Sequence, residues 1–252
     1  MTASHQVKWF PTPEALAQAA AADWVREFLA PPGPDAPRTV ALSGGRIARL
    51  FFLEAARQCR AEKTDWRSVH FFWADERCVS PGDPESNFAL ARETFLAPLR
   101  VPADGIHRIR GELPPAEGAR LAEAELRGVV SRRCAGYPSL DLVLLGMGED
   151  GHVASLFPGH ARKLIPLEAV YYPVRATKPP PLRITLTYSM LAAAGRVWVL
   201  ASGAGKERAL RDSLRPGGAT PLAAVLADRE QARLYTDIPI LGSKDSFQLQ
   251  SG

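Results

Sequence analysis

The sequence predicts an α/β protein: a single three-layer domain whose mainly parallel, doubly wound sheet carries helices on both faces. Three observations lead to this prediction. Short apolar runs without clean alternation are typical of strands buried on both faces of a parallel sheet. Stretches with helical apolar spacing lie between these runs. Several runs end abruptly in glycine-rich turns, which leave room for a ligand at the carboxyl end of a strand.

The predicted elements alternate along the chain. Thr12 is the predicted N-cap of the first helix, and Ser86 or Asn87 caps a later one. The predicted strands cover residues 7–10, 39–42, 69–73, 106–109, 140–145, 171–174, 183–187, 197–201 and 232–236. The predicted helices cover residues 12–29, 46–60, 88–96, 116–133, 188–194 and 222–226, and Lys206 opens a further helix.

The length of the chain bounds its domain organisation. A chain of 252 residues suffices for one large α/β domain or two small ones, and it is long enough for a full core. The sequence shows no internal repeat and no linker long enough to divide it. We therefore expect one domain over residues 1–241. Residues 242–252 carry no core pattern, and we expect them to form a disordered tail.

Composition and charge favour an anionic ligand. The net charge is +4 at pH 7 and the sequence pI is about 9.1. Nucleic acid is the competing partner, but the 31 Lys and Arg residues are dispersed and form no basic stripe. No apolar run reaches the length of a membrane span, and the first residues show no secretory signal. The three cysteines are scattered without a C-x-x-C pair, which suits a reducing cytoplasm.

The first glycine turn, Ser43-Gly44-Gly45, lies between a predicted strand and a predicted helix. Such a turn makes an anion site, because free backbone N–H groups and the positive end of the helix converge on it. A plain tight turn is the alternative. Arg46 favours the anion site, since a cation in the first turn of a helix opposes the helix dipole unless an anion lies nearby.

Polar residues follow two further predicted strands. Asp75-Glu76-Arg77 comes after the strand over 69–73, where open α/β sheets bind ligands, although a surface ion pair is the alternative interpretation. The strand over 197–201 ends in a second small-residue turn, Ser202-Gly203-Ala204-Gly205, and Lys206 follows it. We interpret this turn as a second anion site with a cation attached.

The strand over 140–145 ends in the most informative turn of the chain. Gly146, Gly148 and Gly151 form a G-x-G-x-x-G pattern, which alone is weak evidence because many such matches are only turns. The ending Asp150-Gly151-His152 makes the turn specific, because a dinucleotide-binding loop would not offer an imidazole there. We interpret His152 as the residue that carries the chemistry.

Together these strand ends resemble the 6-phosphogluconolactonase family, within the superfamily that also contains glucosamine-6-phosphate deaminase. The resemblance covers about residues 11–237. Its strongest carriers are residues 75–77 with 86–88, residues 145–159, residues 183–187 and residues 202–206. Deaminases of the superfamily usually continue with Phe-Asn-Glu-Pro after the histidine. This chain has Ser155-Leu156-Phe157-Pro158 there, so the extra acid is missing and the resemblance favours the lactonase.

One departure from the family lies in the first glycine turn. Members commonly read Ser-Gly-Gly-Ser-Thr-Pro, whereas this chain continues from the glycines with Arg46-Ile47-Ala48. The backbone donors of Gly44 and Gly45 survive. We expect Arg46 to replace the lost hydroxyl contact with a charge-assisted one.

The resemblance implies a modified Rossmann-like fold and a carboxylic ester hydrolase. The implied reaction is hydrolysis of 6-phospho-D-glucono-1,5-lactone to 6-phospho-D-gluconate, the second step of the oxidative pentose phosphate pathway. A δ-lactone is an activated ester, so no covalent intermediate, metal or cofactor is expected. Histidine can serve as base and then acid, because its unperturbed pKa lies near 6.5. The expected partner is a sugar phosphate bound by a monomer or small homo-oligomer, with no nucleic acid and no membrane.

The resemblance also assigns roles to the residues at the strand ends. His152 is the expected base and acid, and either Asp150 or Glu149 orients it. The expected phosphate site combines Lys206 and Arg183 with the Ser43, Gly44, Gly45 and Arg46 turn. Arg77 would hold phosphate or a sugar oxygen, and Asp75 would hold sugar hydroxyls.

Three other interpretations compete with hydrolysis. In an amino-sugar-phosphate isomerase or deaminase, Asp75 would abstract a proton and His152 would assist ring opening. A non-catalytic sugar-phosphate sensor is the second alternative, which an intact Asp150-Gly151-His152 disfavours. Metal binding by His152 and Asp150 is the weakest, because no clear third ligand is present in the sequence pattern.

Overall fold

The computed structural model describes residues 5–29, 37–62, 65–160, 162–239 and 248–251. Its strands form one large parallel sheet and two small antiparallel ones. They are β1 (Gln6–Trp9), β2 (Arg38–Leu42), β3 (Val69–Trp73), β4 (Asp75–Arg77), β5 (Arg133–Cys134), β6 (Tyr137–Pro138), β7 (Leu142–Gly146), β8 (Tyr171–Arg175), β9 (Leu182–Leu186), β10 (Val197–Ala201), β11 (Arg233–Thr236) and β12 (Gln248–Ser251).

The large sheet has the order β12-β1-β11-β10-β7-β2-β3, and every neighbouring pair is parallel. From β2 the chain moves outward to β3 and then returns to the other side of β2 as β7. The strand order therefore reverses between β2 and β7. In open α/β sheets, ligands bind at such a switch point, outside the carboxyl ends of the strands.

The described helices are α1 (Pro13–Asp23), α2 (Arg46–Glu62), α3 (Asn87–Ala91), α4 (Pro115–Val129), α5 (Tyr188–Ala193), α6 (Glu207–Leu214) and α7 (Pro221–Ala227). The helices α1, α2 and α3 pack together as one group, and α7 contacts both α5 and α6 in a second group, whereas α4 packs on β8 and β9. Thr12 Oγ1 accepts a hydrogen bond from Ala15 N and Ser86 Oγ accepts one from Ala89 N, so both are N-caps.

Aromatic side chains fill the core between the sheet and the first group of helices. Trp24, Phe51 and Phe95 are almost fully buried, and the Trp24 ring meets the other two edge-on at 5.9 and 6.1 Å between centroids. Burial of large apolar side chains is the main favourable term in folding. No helix among the described residues is both long and apolar enough to cross a membrane.

The small sheet β4-β9-β8 was not predicted, and it carries part of the site. Asp75–Arg77 form β4, which pairs with β9 so that Asp75 lies opposite Thr185 and Arg77 lies opposite Arg183. The alternative that these polar residues form only a surface ion pair is wrong, because Asp75 and Glu76 are buried.

Three further differences separate the structure from the sequence predictions. The predicted strand over 106–109 is wrong, since only Ile106 forms an isolated bridge, with Phe71. Helix α4 ends at Val129, and the last predicted helical residue, Arg133, begins β5 instead. No strand was predicted over residues 242–252, whereas Gln248–Ser251 pair with β1 as an edge strand. The other residues of the tail lie outside the described part of the chain.

Candidate active site

An open cleft with about 550 Å³ of empty volume lies at the carboxyl end of the parallel sheet, beside the switch point. The cleft brings together every residue that the sequence predicted for substrate binding, and His152 with them. The lining residues predicted from the sequence are Ser43, Gly44, Gly45, Arg46, Asp75, Arg77, His152, Arg183 and Lys206. Asp150 does not line the cleft but contacts His152 directly.

The turn after β7 holds the His152 imidazole against the backbone of Gly148. A Cβ atom added to Gly148 would lie 2.1 Å from ring atoms of His152, so no larger residue fits there. Gly151 has φ of +78°, in the left-handed region that favours glycine, and it also packs against Thr220. Gly148 N donates to His152 O over 2.9 Å and closes the turn.

Asp150 is the carboxylate that pairs with His152. Asp150 Oδ1 lies 2.5 Å from His152 Nδ1 and also accepts from His152 N. Burial by itself raises the pKa of Asp150, but the hydrogen bonds and charge of His152 outweigh it and hold the pKa below its ordinary value. With Nδ1–H donated to the carboxylate, Nε2 keeps its lone pair. The Glu149 side chain lies instead beside Gly205.

The first glycine turn divides into a structural residue and three residues open to a ligand. Ser43 Oγ donates its proton to Leu144 O over 2.8 Å, so this hydroxyl ties β2 to β7 and offers no donor to an anion. Gly44 packs so closely on Asn87 that an added Cβ would lie 1.9 Å from Asn87 Oδ1. Gly45 has φ of +99° and is exposed. Arg46 is exposed at the start of α2, and its charge acts on Lys206.

Lys206 lies in the second glycine turn, and the carboxylate of Asp237 holds this turn in place. Asp237 Oδ2 accepts from Ser202 Oγ over 2.7 Å, and Asp237 Oδ1 accepts from Gly203 N over 2.9 Å. Burial lowers the pKa of Lys206, and the nearby charge of Arg46 lowers it further. A bound anion would favour the charged form of Lys206.

Arg77 and Arg183 form a second pair of cations, because their register places them opposite each other in β4 and β9. Arg183 is buried. Burial lowers its pKa, and the Arg77 charge adds to the effect. Arg183 Nε donates to Pro180 O over 3.1 Å, and its guanidinium lies 5.6 Å from the centre of the Phe157 ring. Arg77 Nη1 donates to Glu85 O over 2.6 Å.

Asp75 is the buried acid of the cleft, and two residues that the sequence did not single out hold it. Ser155 Oγ donates to Asp75 Oδ2 over 2.6 Å. Asn87 Nδ2 donates to Asp75 O over 2.8 Å and to Asp75 Oδ1 over 3.2 Å. Asn87 also lines the cleft. The available signal was that Asn87 was one of the two predicted helix caps and lay within residues 86–88 of the family resemblance, but a cap marks a helix start and not a ligand.

Glu76, the neighbour of Asp75, supports the site from within the protein. Its carboxylate accepts from Arg77 N, Asn87 N and Phe88 N, each over 2.8 Å, and from Ser86 Oγ over 3.0 Å. Burial raises the pKa of Glu76 to about 7, against the four hydrogen bonds that lower it. These bonds tie β4 to the start of α3, so Glu76 orders the cleft without lining it.

The charges of the cleft suit a small polyhydroxylated anion. Arg46, Arg77, Arg183 and Lys206 supply positive charge, and Asp75 supplies a carboxylate acceptor. Cations and backbone N–H groups bind phosphate, whereas a fixed carboxylate binds hydroxyl groups. A sugar phosphate presents both kinds of group, and His152 is placed to act on it.

Comparison with known proteins agrees with this chemistry. The family model described as glucosamine-6-phosphate isomerases/6-phosphogluconolactonase matches residues 11–235. The chain is 35% identical to the 6-phosphogluconolactonase of Aggregatibacter actinomycetemcomitans over 203 residues, which cover 81% of this chain and 83% of that protein.

Two solved structures are similar over nearly the whole chain. The crystal structure of devB protein has a TM-score of 0.82 at 32% identity, with 92% of this chain and 96% of that chain covered. The 6-phosphogluconolactonase of Trypanosoma brucei has a TM-score of 0.83 at 25% identity, with 93% and 97% covered. The protein belongs to the family of glucosamine-6-phosphate isomerases and 6-phosphogluconolactonases.

Proposed function

We propose that this protein hydrolyses 6-phospho-D-glucono-1,5-lactone to 6-phospho-D-gluconate, the second step of the oxidative pentose phosphate pathway. The observation that carries the proposal is that His152, paired with Asp150, lines the same cleft as four cations and a fixed carboxylate. The names of the similar proteins support the same reaction.

The proposed mechanism uses His152 twice. Nε2 removes a proton from water as the water oxygen attacks C1 of the lactone, and the carbonyl oxygen gains negative charge. The imidazolium then returns this proton to the ring oxygen as the C1–O bond breaks, which leaves the carboxylic acid product. Asp150 holds Nδ1–H and stabilises the imidazolium between the two steps. Neither step needs a metal or a cofactor.

The phosphate group anchors the substrate at a distance from C1. We assign this contact to Lys206 and Arg183, with the backbone N–H groups of Gly44 and Gly45 and the guanidinium of Arg46. Arg77 has its Nη1 committed to Glu85, so it serves the same anion or a sugar oxygen through its remaining donors. Binding energy from a remote phosphate lowers the barrier by fixing the reacting carbon beside the base.

A sugar-phosphate isomerase or deaminase is the alternative within the family. That chemistry would use Asp75 to remove a carbon-bound proton. Residues Ser155 to Pro158 lack the acid that the deaminases of the superfamily usually carry after the histidine. A non-catalytic sensor would not require an imidazole paired with a carboxylate.

One assay separates these functions. The purified protein is given 6-phosphoglucono-δ-lactone or glucosamine 6-phosphate, and product is followed with coupling enzymes specific for 6-phosphogluconate or fructose 6-phosphate. We expect turnover of the lactone only. Ammonia release from glucosamine 6-phosphate would support the deaminase, and binding without turnover of either would support the sensor.

The cellular setting is part of the proposal. Cys59, Cys78 and Cys134 are free thiols, which suits a reducing cytoplasm. We propose that residues 1–241 act as a single catalytic domain, as a monomer or small homo-oligomer, on a small-molecule substrate without nucleic acid or membrane. Pairing of β1 with β11, from opposite ends of the chain, supports one domain.

A further inference from the structure

The Asp75 carboxylate is held by a serine that the proposed mechanism does not use. Ser155 Oγ donates its proton to Asp75 Oδ2 over 2.6 Å, across 80 residues of sequence. Ser155 is fully buried and does not line the cleft, whereas Asp75 does. Any effect of Ser155 on the reaction therefore acts through Asp75.

Ser155 is itself held in place by a contact with Thr185 and by the bend of the preceding residue. Ser155 N donates to Thr185 Oγ1 over 3.1 Å, and Thr185 is the β9 residue that pairs with Asp75 in β4. The preceding residue, Ala154, has φ of +49°, a region that non-glycine residues rarely adopt. With this bend, the Ser155 side chain lies in the interior, whereas His152, three residues earlier, lines the cleft. One short loop thus carries both the base and the residue that fixes the acid.

The hydrogen bonds leave Asp75 a defined set of free acceptor positions. A carboxylate offers about four lone-pair sites. Ser155 occupies one on Oδ2 and Asn87 occupies one on Oδ1, so each oxygen keeps one site for a hydroxyl group of a ligand. Without these two donors the carboxylate could rotate, because the terminal torsion of aspartate is broad.

We infer that Ser155 is a positioning residue for substrate specificity. It fixes the plane of the Asp75 carboxylate so that the carboxylate accepts hydrogen bonds from ring hydroxyls of the sugar, and it thereby sets the position of C1 relative to His152. The inference rests on the proposed lactonase function. A misplacement of about 1 Å at a reacting centre can cost about a hundredfold in rate.

The test compares Ser155→Ala on the natural lactone and on deoxy analogues that each lack one ring hydroxyl. We expect kcat/KM for 6-phosphoglucono-δ-lactone to fall about 10- to 100-fold, as for a lost hydrogen bond to a charged group. For the analogue that lacks the hydroxyl bound by Asp75, the loss caused by Ser155→Ala should disappear. Ser155→Thr keeps the donor and should recover most of the activity.

Thr39→Val is the matched control. Thr39 is also buried and donates to a carboxylate, Asp141, over 2.9 Å, but it lies in β2 away from the cleft. This variant should lose stability and keep its kcat/KM for every substrate. Ser155→Cys, which keeps the side-chain volume and weakens the donor, serves the same comparison if Ser155→Ala does not fold.

The outcomes separate the two proposals. Equal losses on the natural lactone and on every deoxy analogue would show that Ser155 serves only stability, and would overturn this inference while leaving the lactonase function intact. Absence of lactone hydrolysis by the unaltered protein would overturn the proposed function itself.

Discussion

Two clusters of charged side chains in this protein contain the same residue types. They differ in how far acidic side chains of the protein neutralise the basic ones. In the cleft, Lys206, Arg46, Arg77 and Arg183 lie close enough that like charges lower the pKa of Lys206 and Arg183, in addition to burial. Asp23 forms the second cluster, between the end of α1 and strands β1 and β11. We call it the Asp23 cluster, and its members are Asp23, Lys8, Arg26, Arg233 and Tyr235.

The Asp23 cluster is complete without a ligand. Asp23 accepts from Lys8 Nζ over 2.8 Å and from Tyr235 Oη over 2.7 Å, and it also pairs with Arg26 and Arg233. Burial by itself raises the pKa of Asp23, but the hydrogen bonds from Lys8 and Tyr235 outweigh it, so the pKa lies below its ordinary value. This pattern is that of a stabilising ion network.

In the cleft, by contrast, most of the basic side chains have no acidic partner. Arg77 pairs with Glu85 over 3.3 Å, but among the residues that the structure describes Arg46, Arg183 and Lys206 form no salt bridge. These three crowded cations cost free energy in the unliganded protein, and a bound phosphate would remove this cost. Paired charge therefore indicates stability here, whereas unpaired charge indicates a binding site.

The largest expected effect concerns His152. The substitution His152→Gln removes the proposed general base, so kcat should fall about 100- to 10,000-fold. The melting temperature should change little, because the side chain lines an open cleft. Near-normal turnover by the folded variant would remove His152 from its catalytic role.

The second prediction concerns the Asp23 cluster. Asp23→Ala leaves Lys8 partly buried without its acidic partner and leaves Arg233 with Glu27 alone, so the free energy of unfolding should fall by about 3–5 kcal/mol, as measured by denaturant titration. Activity at a temperature where the variant is folded should be unchanged. A large rise in KM instead would show that the two clusters are coupled.

The lowered pKa of Asp23 predicts that the stability of the fold depends on pH. Because the pKa of Asp23 is lower in the folded protein than its ordinary 3.8, its ionised form stabilises the fold above about pH 4. This contribution is lost as the pH falls through the folded-state pKa. Acid titration of stability should therefore be steeper for the unaltered protein than for Asp23→Asn. Parallel curves would mean that Asp23 contributes nothing to acid unfolding.

A pair of identical substitutions contrasts the two clusters directly. Lys206→Met should raise KM for the phosphorylated lactone about 10- to 100-fold and affect unphosphorylated glucono-δ-lactone much less. Lys8→Met, in the Asp23 cluster, should lower stability and leave both KM values unchanged. Equal effects of Lys206→Met on both substrates would show that Lys206 does not bind the phosphate.

The smallest expected effect concerns Arg46. Arg46→Ser restores the hydroxyl common in the family and relieves the repulsion of Lys206. It should keep kcat and weaken the dependence of KM on ionic strength, because one charged contact to the phosphate is lost. If Arg46 points to solvent, neither KM nor its salt dependence will change, and Lys206, Arg183 and the backbone amides will account for phosphate binding.

The sequence by itself determined the architecture and the strand ends that form the site. Buried strands, amphipathic helices and glycine turns show local sequence patterns, because side-chain periodicity and turn chemistry involve residues that are close together in sequence. Asp75, His152 and Lys206 lie within six residues of the carboxyl ends of β3, β7 and β10, so parallel strand order was sufficient to bring them to one edge of the sheet.

Only the tertiary structure decided which side chains meet across that edge. It selected Asp150 over Glu149 as the partner of His152, engaged the Ser43 hydroxyl with Leu144, and joined Ser155 to Asp75. It also made a strand of Asp75–Arg77 and set Arg77 opposite Arg183. These contacts join residues as far as 106 positions apart in sequence, the separation of Arg77 and Arg183 (183 − 77). Their geometry depends on how whole elements pack, and no local propensity encodes that packing.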